Sequence, residues 1–308
     1  MGSVAHYAAL LRQELRERNV EFARKHRLAH RLSYGAAPVV CYEPDEGAHG
    51  NFLPETYAAI RANGSWAKRL AKVHTSGRTS LPHTDRSFWA ELDSCNSSDA
   101  LLMNVFCHPD VFADGRVLST LGVANEEVRR TPVHSPIREC RDQGAARLPS
   151  PVGDDTTVMP EFGFKPRVPL VNGHFDRTEV DMRLGSLLVE AKLTEVDFQS
   201  REKHFVDQYR DFKAVFNRRE LPQTRESYLS YQLIRNVLAA HALDGSFCVL
   251  HDARRPDLRD AWYDVMRCVK LHDLRLRCKV LTWQELAAVL PERLLEFLEE
   301  KYGIMSNL

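Results

Sequence analysis

Residues 178–195 read TEVDMRLGSLLVEAKLTE and bring two carboxylates and a lysine to spacings that suit metal-assisted hydrolysis. Gly185-Ser186 is a two-residue turn with glycine first, the type II′ hairpin signal, and Val, Leu and Met flank it on both sides. Closing the hairpin there sets Leu184 opposite Leu187, Met182 opposite Val189, Asp181 opposite Glu190 and Glu179 opposite Lys192. Side chains alternate along a strand, so one face carries Val180, Met182, Leu184, Leu187, Val189, Ala191 and Leu193, all apolar. The other carries Glu179, Asp181, Arg183, Glu190, Lys192 and Thr194. Opposed Cβ atoms lie about 5 Å apart, and like charges so placed repel. Asp181 against Glu190 is therefore unfavourable unless a proton or a cation sits between them. A hard divalent ion such as Mg²⁺ relieves the repulsion, because it takes one or two carboxylates plus water and phosphate oxygens. Lys192 points to the same side, where it can hold or polarise a metal-bound water. The competing reading is a solvated charged face with Glu179 and Lys192 as a cross-strand ion pair. An E-x-K tripeptide alone is too common to decide between them.

The order Asp181, then Glu190-Ala191-Lys192, on adjacent strands resembles the PD-(D/E)XK nuclease superfamily, with Val180 where the motif has Pro. Ser97, Ser98, Ala100, Leu101 and Asn104 are similar to a Ser-Ser-x-Ala-Leu-x-x-Asn segment of a bacterial restriction-endonuclease-like family, although Asp99 stands where Gln is expected. Residues 231–236 (YQLIRN) are similar to that family's Tyr-Gln-Leu-x-Arg-Asn stretch. The resemblance implies an α/β restriction-endonuclease-like αβα sandwich around a mixed central sheet. It implies Mg²⁺, with Mn²⁺ as a substitute, held by Asp181, Glu190 and the carbonyl of Ala191, with Glu161 added from an upstream strand. Lys192 would orient the attacking water. One polar residue of the helix at 227–243 would face the site, and Gln232 is chosen over Arg235 and Asn236. The reaction implied is endonucleolytic cleavage of DNA, leaving 5′-phosphate and 3′-hydroxyl ends, in restriction or anti-phage defence. The alternatives are an enzyme acting on RNA, junctions or strand ends, a nuclease-fold nucleic-acid-binding module that does not cut, and a non-enzymatic interaction protein.

These motifs need a scaffold, and the composition supplies one. The 308 residues are 44% apolar and 27% charged, as in globular proteins, and Lys+Arg and Asp+Glu total 42 each. Net charge therefore argues neither for nor against a nucleic-acid partner. No apolar run reaches membrane length, and the N-terminus reads as an amphipathic helix without a signal peptide's apolar core. Seven scattered cysteines, none in C-x-x-C spacing, suit free thiols in a reducing cytoplasm. The absence of G-x-x-x-x-G-K-[ST] and G-x-G-x-x-G patterns argues against a nucleotide cofactor. The oligomeric state, monomer or homodimer, is left open.

The chain divides, on this reading, into a helical basic extension over 1–92 and a nuclease-like core over 93–308. The extension has helical patterns at 4–32 and 53–71. Lys68, Arg69, Lys72 and Arg78 are its candidate phosphate contacts. In the core, helices are predicted at 93–106, 203–216, 227–243, 258–269 and 283–302. Strands are predicted at 158–164, where Pro160 places the strand on an edge or at a bulge, and at 247–250 and 276–282.

Overall fold

The computed structural model describes residues 4–33, 37–45, 47–72, 90–123 and 159–306. Its centre is a mixed five-stranded sheet whose strands lie in chain order: β1 (Glu161–Phe164), β2 (Val180–Leu184), β3 (Leu187–Ala191), β4 (Ser246–His251) and β5 (Cys278–Thr282). β1–β2 and β2–β3 pair antiparallel, and β3–β4 and β4–β5 pair parallel. Parallel neighbours need crossover connections. These run through α4 (Tyr231–Ala242) between β3 and β4, and through α5 (Pro256–Met266) between β4 and β5.

The hairpin forms in the register the turn predicts, with Leu184 opposite Leu187 and Met182 opposite Val189. Gly185 has φ of 59° and Ser186 is not among the positive-φ residues, as a II′ turn requires. β3 has a strand on each side and a core on each face, so all of Leu187, Leu188, Val189, Glu190 and Ala191 are buried. The charged face of the hairpin is therefore not solvated as a whole.

Two apolar clusters cover the two faces of the sheet. One joins Met182, Val189 and Leu250 to Leu15 of α1 (Val4–Lys25), Phe106 of α3 (Ser98–Phe106) and Tyr302 of α6 (Glu292–Tyr302). The other joins Leu188 and Val249 to Leu233 and Val237 of α4 and Trp262 of α5. α1 thus contributes to the same core as the sheet, and Arg12 in it donates to the carbonyl of Thr194 at 2.7 Å. Lys25 and His26 pair with Glu300 of α6, so part of the basic N-terminal segment serves helix packing.

Boundaries moved where local chemistry intervened. The first helix stops at Lys25, with Arg27 at positive φ beyond it. The pattern at 203–216 forms two short helices, Lys203–Val206 and Phe212–Val215. That at 53–71 forms α2 (Pro54–Ala62), a short helix Gly64–Ala67 capped by Asn63, and a 3₁₀ turn Lys68–Ala71. Among the described residues no helix is long and apolar enough to cross a membrane.

Candidate active site

The hairpin brings Asp181, Glu190 and Lys192 together where β2 meets β3. Lys192 Nζ lies 2.7 Å from Glu190 Oε1, and both side chains are nearly inaccessible. Glu190 Oε2 accepts from Asn236 Nδ2 of α4 at 2.8 Å. Asp181 Oδ2 accepts from the Ala191 amide at 2.7 Å. The Lys192 backbone is pinned on both sides, its amide to the Leu250 carbonyl at 2.8 Å and its carbonyl to Trp283 Nε1 at 3.1 Å.

Electrostatics here are strongly biased. Burial, the Glu190 charge and the Asp99 charge push the Asp181 carboxyl well above its ordinary value, against Lys192 and the Ala191 amide. For Lys192, burial disfavours the ammonium, but Glu190, Glu195 and Asp181 outweigh it and raise the group above its ordinary value. One lysine thus faces an excess of negative charge.

Asp99 is a further acid of the cluster. It is 5% exposed, on the first turn of α3, and Arg69 Nη2 holds its Oδ2 at 2.7 Å, with Lys72 Nζ at 3.2 Å. Arg69 Nη1 also reaches Glu179 Oε2 at 3.3 Å, and Lys72 pairs with Glu91 at 3.0 Å. Gly163 of β1 makes room for this arginine, since a Cβ at its φ of 66° would fall on Arg69 Nη1. Trp66 Nε1 donates to the Pro160 carbonyl at 2.9 Å and fastens the whole segment to β1.

Several expectations change on this geometry. Arg69 and Lys72 lie at the acid cluster, but as partners of its carboxylates and not as free phosphate contacts. Lys68 is exposed. Arg78 lies outside the described residues. Glu161 does not join the other acids: it is exposed on the outer strand and pairs with Arg183 at 3.1 Å. Glu179 pairs with Arg69 and Lys165 instead of Lys192. The helix residue that touches the motif is Asn236, one turn beyond Gln232. Gln232 keeps a buried Oε1 without a partner. The stretch marked both as candidates, but which one meets Glu190 depends on how α4 is rotated over the sheet.

The Ser-Ser-x-Ala-Leu-x-x-Asn segment has a structural account. Ser97 caps α3 by accepting from the Ala100 amide at 3.1 Å, and Ser98 Oγ donates to Glu195. Asn104 accepts from the Leu53 amide at 2.9 Å and donates to the Asn51 carbonyl at 2.9 Å. Glu195 in turn takes the Leu193 amide at 2.7 Å, which fixes the turn after Lys192. Arg255 supports the same turn by donating to the Glu195 and Val196 carbonyls at 2.7 and 3.0 Å.

Over residues 18–303 the sequence matches the family described as Restriction Endonuclease associating with ARP. The chain belongs to that family. No curated protein and no solved structure matches it. The match spans α3, the hairpin, α4 and the rest of the sheet, and so includes every residue of the site.

The donor set suits the divalent metal typical of such families on chemical grounds, although no cluster of three metal-ligating side chains forms among the described residues. Asp181 and Glu190 carry hard oxygen donors whose charges act on each other, in excess of Lys192. Asn236 Oδ1 beside them is buried without a hydrogen-bond donor, as a group that receives a metal's water would be.

Proposed function

We propose that this chain is a divalent-metal-dependent phosphodiesterase that cuts DNA internally, built as a PD-(D/E)XK-type αβα sandwich. The observation that carries the reading is the buried constellation of Asp181, Glu190 and Lys192, in a chain of restriction-endonuclease ancestry. Asp181 and Glu190, with the carbonyl of Ala191, would hold Mg²⁺ or Mn²⁺. When bound, the ion supplies charge to a phosphate oxygen and an acidified water.

The chain's own residues do the rest. Asp181 must be ionised to bind a cation, so its raised proton affinity makes loading depend on pH. Lys192 stays charged and sits 2.7 Å from Glu190, where its ammonium orients water or offsets charge gathering on the phosphate. Asn236 holds Glu190 in one rotamer, and Trp283 and the Leu250 carbonyl keep Lys192 from drifting. Preorganised groups of this kind cost little rearrangement at the moment of reaction.

The experiment is cleavage of supercoiled plasmid, linear duplex and single-stranded DNA with Mg²⁺ or Mn²⁺. Nicking or linearisation by the wild type, lost in Asp181→Ala and Glu190→Ala, is expected, with 5′-phosphate ends. No cut in any of these DNAs with either metal sinks the reading.

A further inference from the structure

α4 carries a second polar feature that the catalytic motif does not account for. Arg235 is only 2% exposed, and its Nε and Nη1 are buried with no hydrogen-bond partner. No ion pair joins it to any described carboxylate. The counter-charge beside it is Asp176, whose oxygens are already engaged: Oδ1 accepts from the Thr178 amide at 2.8 Å and from Thr178 Oγ1 at 2.6 Å, and Oδ2 accepts from the Tyr209 hydroxyl. Tyr209 gives its one proton to Asp176, so Tyr231, 2.7 Å away, must donate to Tyr209. Every proton in this chain of bonds is committed, and none of its acceptors meets Arg235.

A desolvated guanidinium without acceptors is costly, and native structures avoid it unless something else binds there. The missing partner is an oxygen-rich anion, since Nε and Nη2, the terminal nitrogen on the same edge, form the fork that grips two oxygens of a phosphate. Position narrows the choice. Gln232, Arg235 and Asn236 stand at i, i+3 and i+4 and share one face of α4, and Asn236 is the residue that holds Glu190. Gln232 Oε1 and Asn236 Oδ1 also lack partners, so the stripe offers donors for an anion beside acceptors for water. At the start of the helix Tyr231 and Gln232 are half-buried, whereas Arg235 and Asn236 are buried.

We propose that Arg235 is a phosphate-binding residue, its Nε–Nη2 edge taking the non-bridging oxygens of a substrate phosphodiester that neighbours the one at Asp181 and Glu190. The placement on a substrate rests on the nuclease reading above; the anion site itself does not.

Melting of the full chain in EDTA tests this, with sodium phosphate compared against sodium chloride at equal ionic strength. Phosphate raises the melting temperature of the wild type and of Asp181→Asn alike, by mass action. Arg235→Gln loses the shift, and Arg235→Lys keeps part of it, because the charge remains without the fork. A wild type that does not respond to phosphate overturns the proposal, whether or not the variants fold, and so does a full response in Arg235→Gln. Uncut duplex in EDTA competes with phosphate for the shift, and Arg235→Gln weakens duplex binding roughly ten- to hundredfold while Mn²⁺ affinity holds. Additive shifts from duplex and phosphate would overturn the placement on the substrate path. A phosphate response at Arg235 in a protein that cuts no DNA supports the anion site and counts against the cleavage reading alone.

Discussion

Asn236 Nδ2 donates to Glu190 Oε2 at 2.8 Å, joining the middle of α4 to the C-terminal end of β3, and neither residue is more than 2% exposed. Asn236→Leu removes that donor and leaves a buried carboxylate oxygen with less than it needs. The expected cost is about 1–3 kcal/mol of stability, read from urea unfolding without metal. Unchanged stability would mean that Glu190 is hydrated and the contact is incidental.

Lys192 and Glu190 form a buried pair, and removing one member strands the other. Lys192→Met is expected to destabilise the metal-free protein by about 3–5 kcal/mol, and Mn²⁺ to restore much of the loss by replacing the missing positive charge. Turnover should stay lost in the presence of metal. A variant that still cuts would remove Lys192 from the chemistry.

Asp181 binds its proton more tightly in the native protein than in the unfolded chain. Its contribution to stability is therefore present below the ordinary carboxyl range and lost as pH rises through the raised native value. Asp181→Asn deletes that loss, so in EDTA at neutral pH the variant melts at or above the wild-type temperature, with a flatter pH profile. Mg²⁺ stabilises the wild type, increasingly as pH rises, and the variant much less. Equal Mg²⁺ shifts in the two proteins would place the ion elsewhere.

Lys68, Arg69 and Lys72 now separate into two kinds. Lys68→Ala, an exposed lysine on the 3₁₀ turn, is expected to lower the slope of log DNA affinity against log salt by roughly one unit with no change in melting. Arg69→Ala uncovers Asp99 and Glu179 and lowers the melting temperature first. If Lys68→Ala leaves the salt slope intact, the DNA path does not cross this segment.

Much of the site was legible in residues 178–195 because a hairpin is local. A two-residue turn with glycine first admits few registers, and a period of two then assigns each side chain to a face, so Asp181, Glu190 and Lys192 follow with no knowledge of the rest. Pro160 left an edge or a bulge open for the strand that follows it, and the sheet order decided for the edge. What surrounds the hairpin was not. Burial of the charged face follows from β4 and α4, which arrive from residues 231–251, and local pattern carries no information on where a crossover helix lands or how it is rotated. That rotation chose Asn236 over Gln232 and turned Arg235 inward. Asp99 met Arg69 across thirty positions of sequence, and its charge reached Asp181 only because α3 packs near β2 and β3. Sequence determined the chemical groups and the one rigid local frame that aligns three of them. Tertiary structure decided which neighbours press on those groups, because charge and burial act through space and not along the chain.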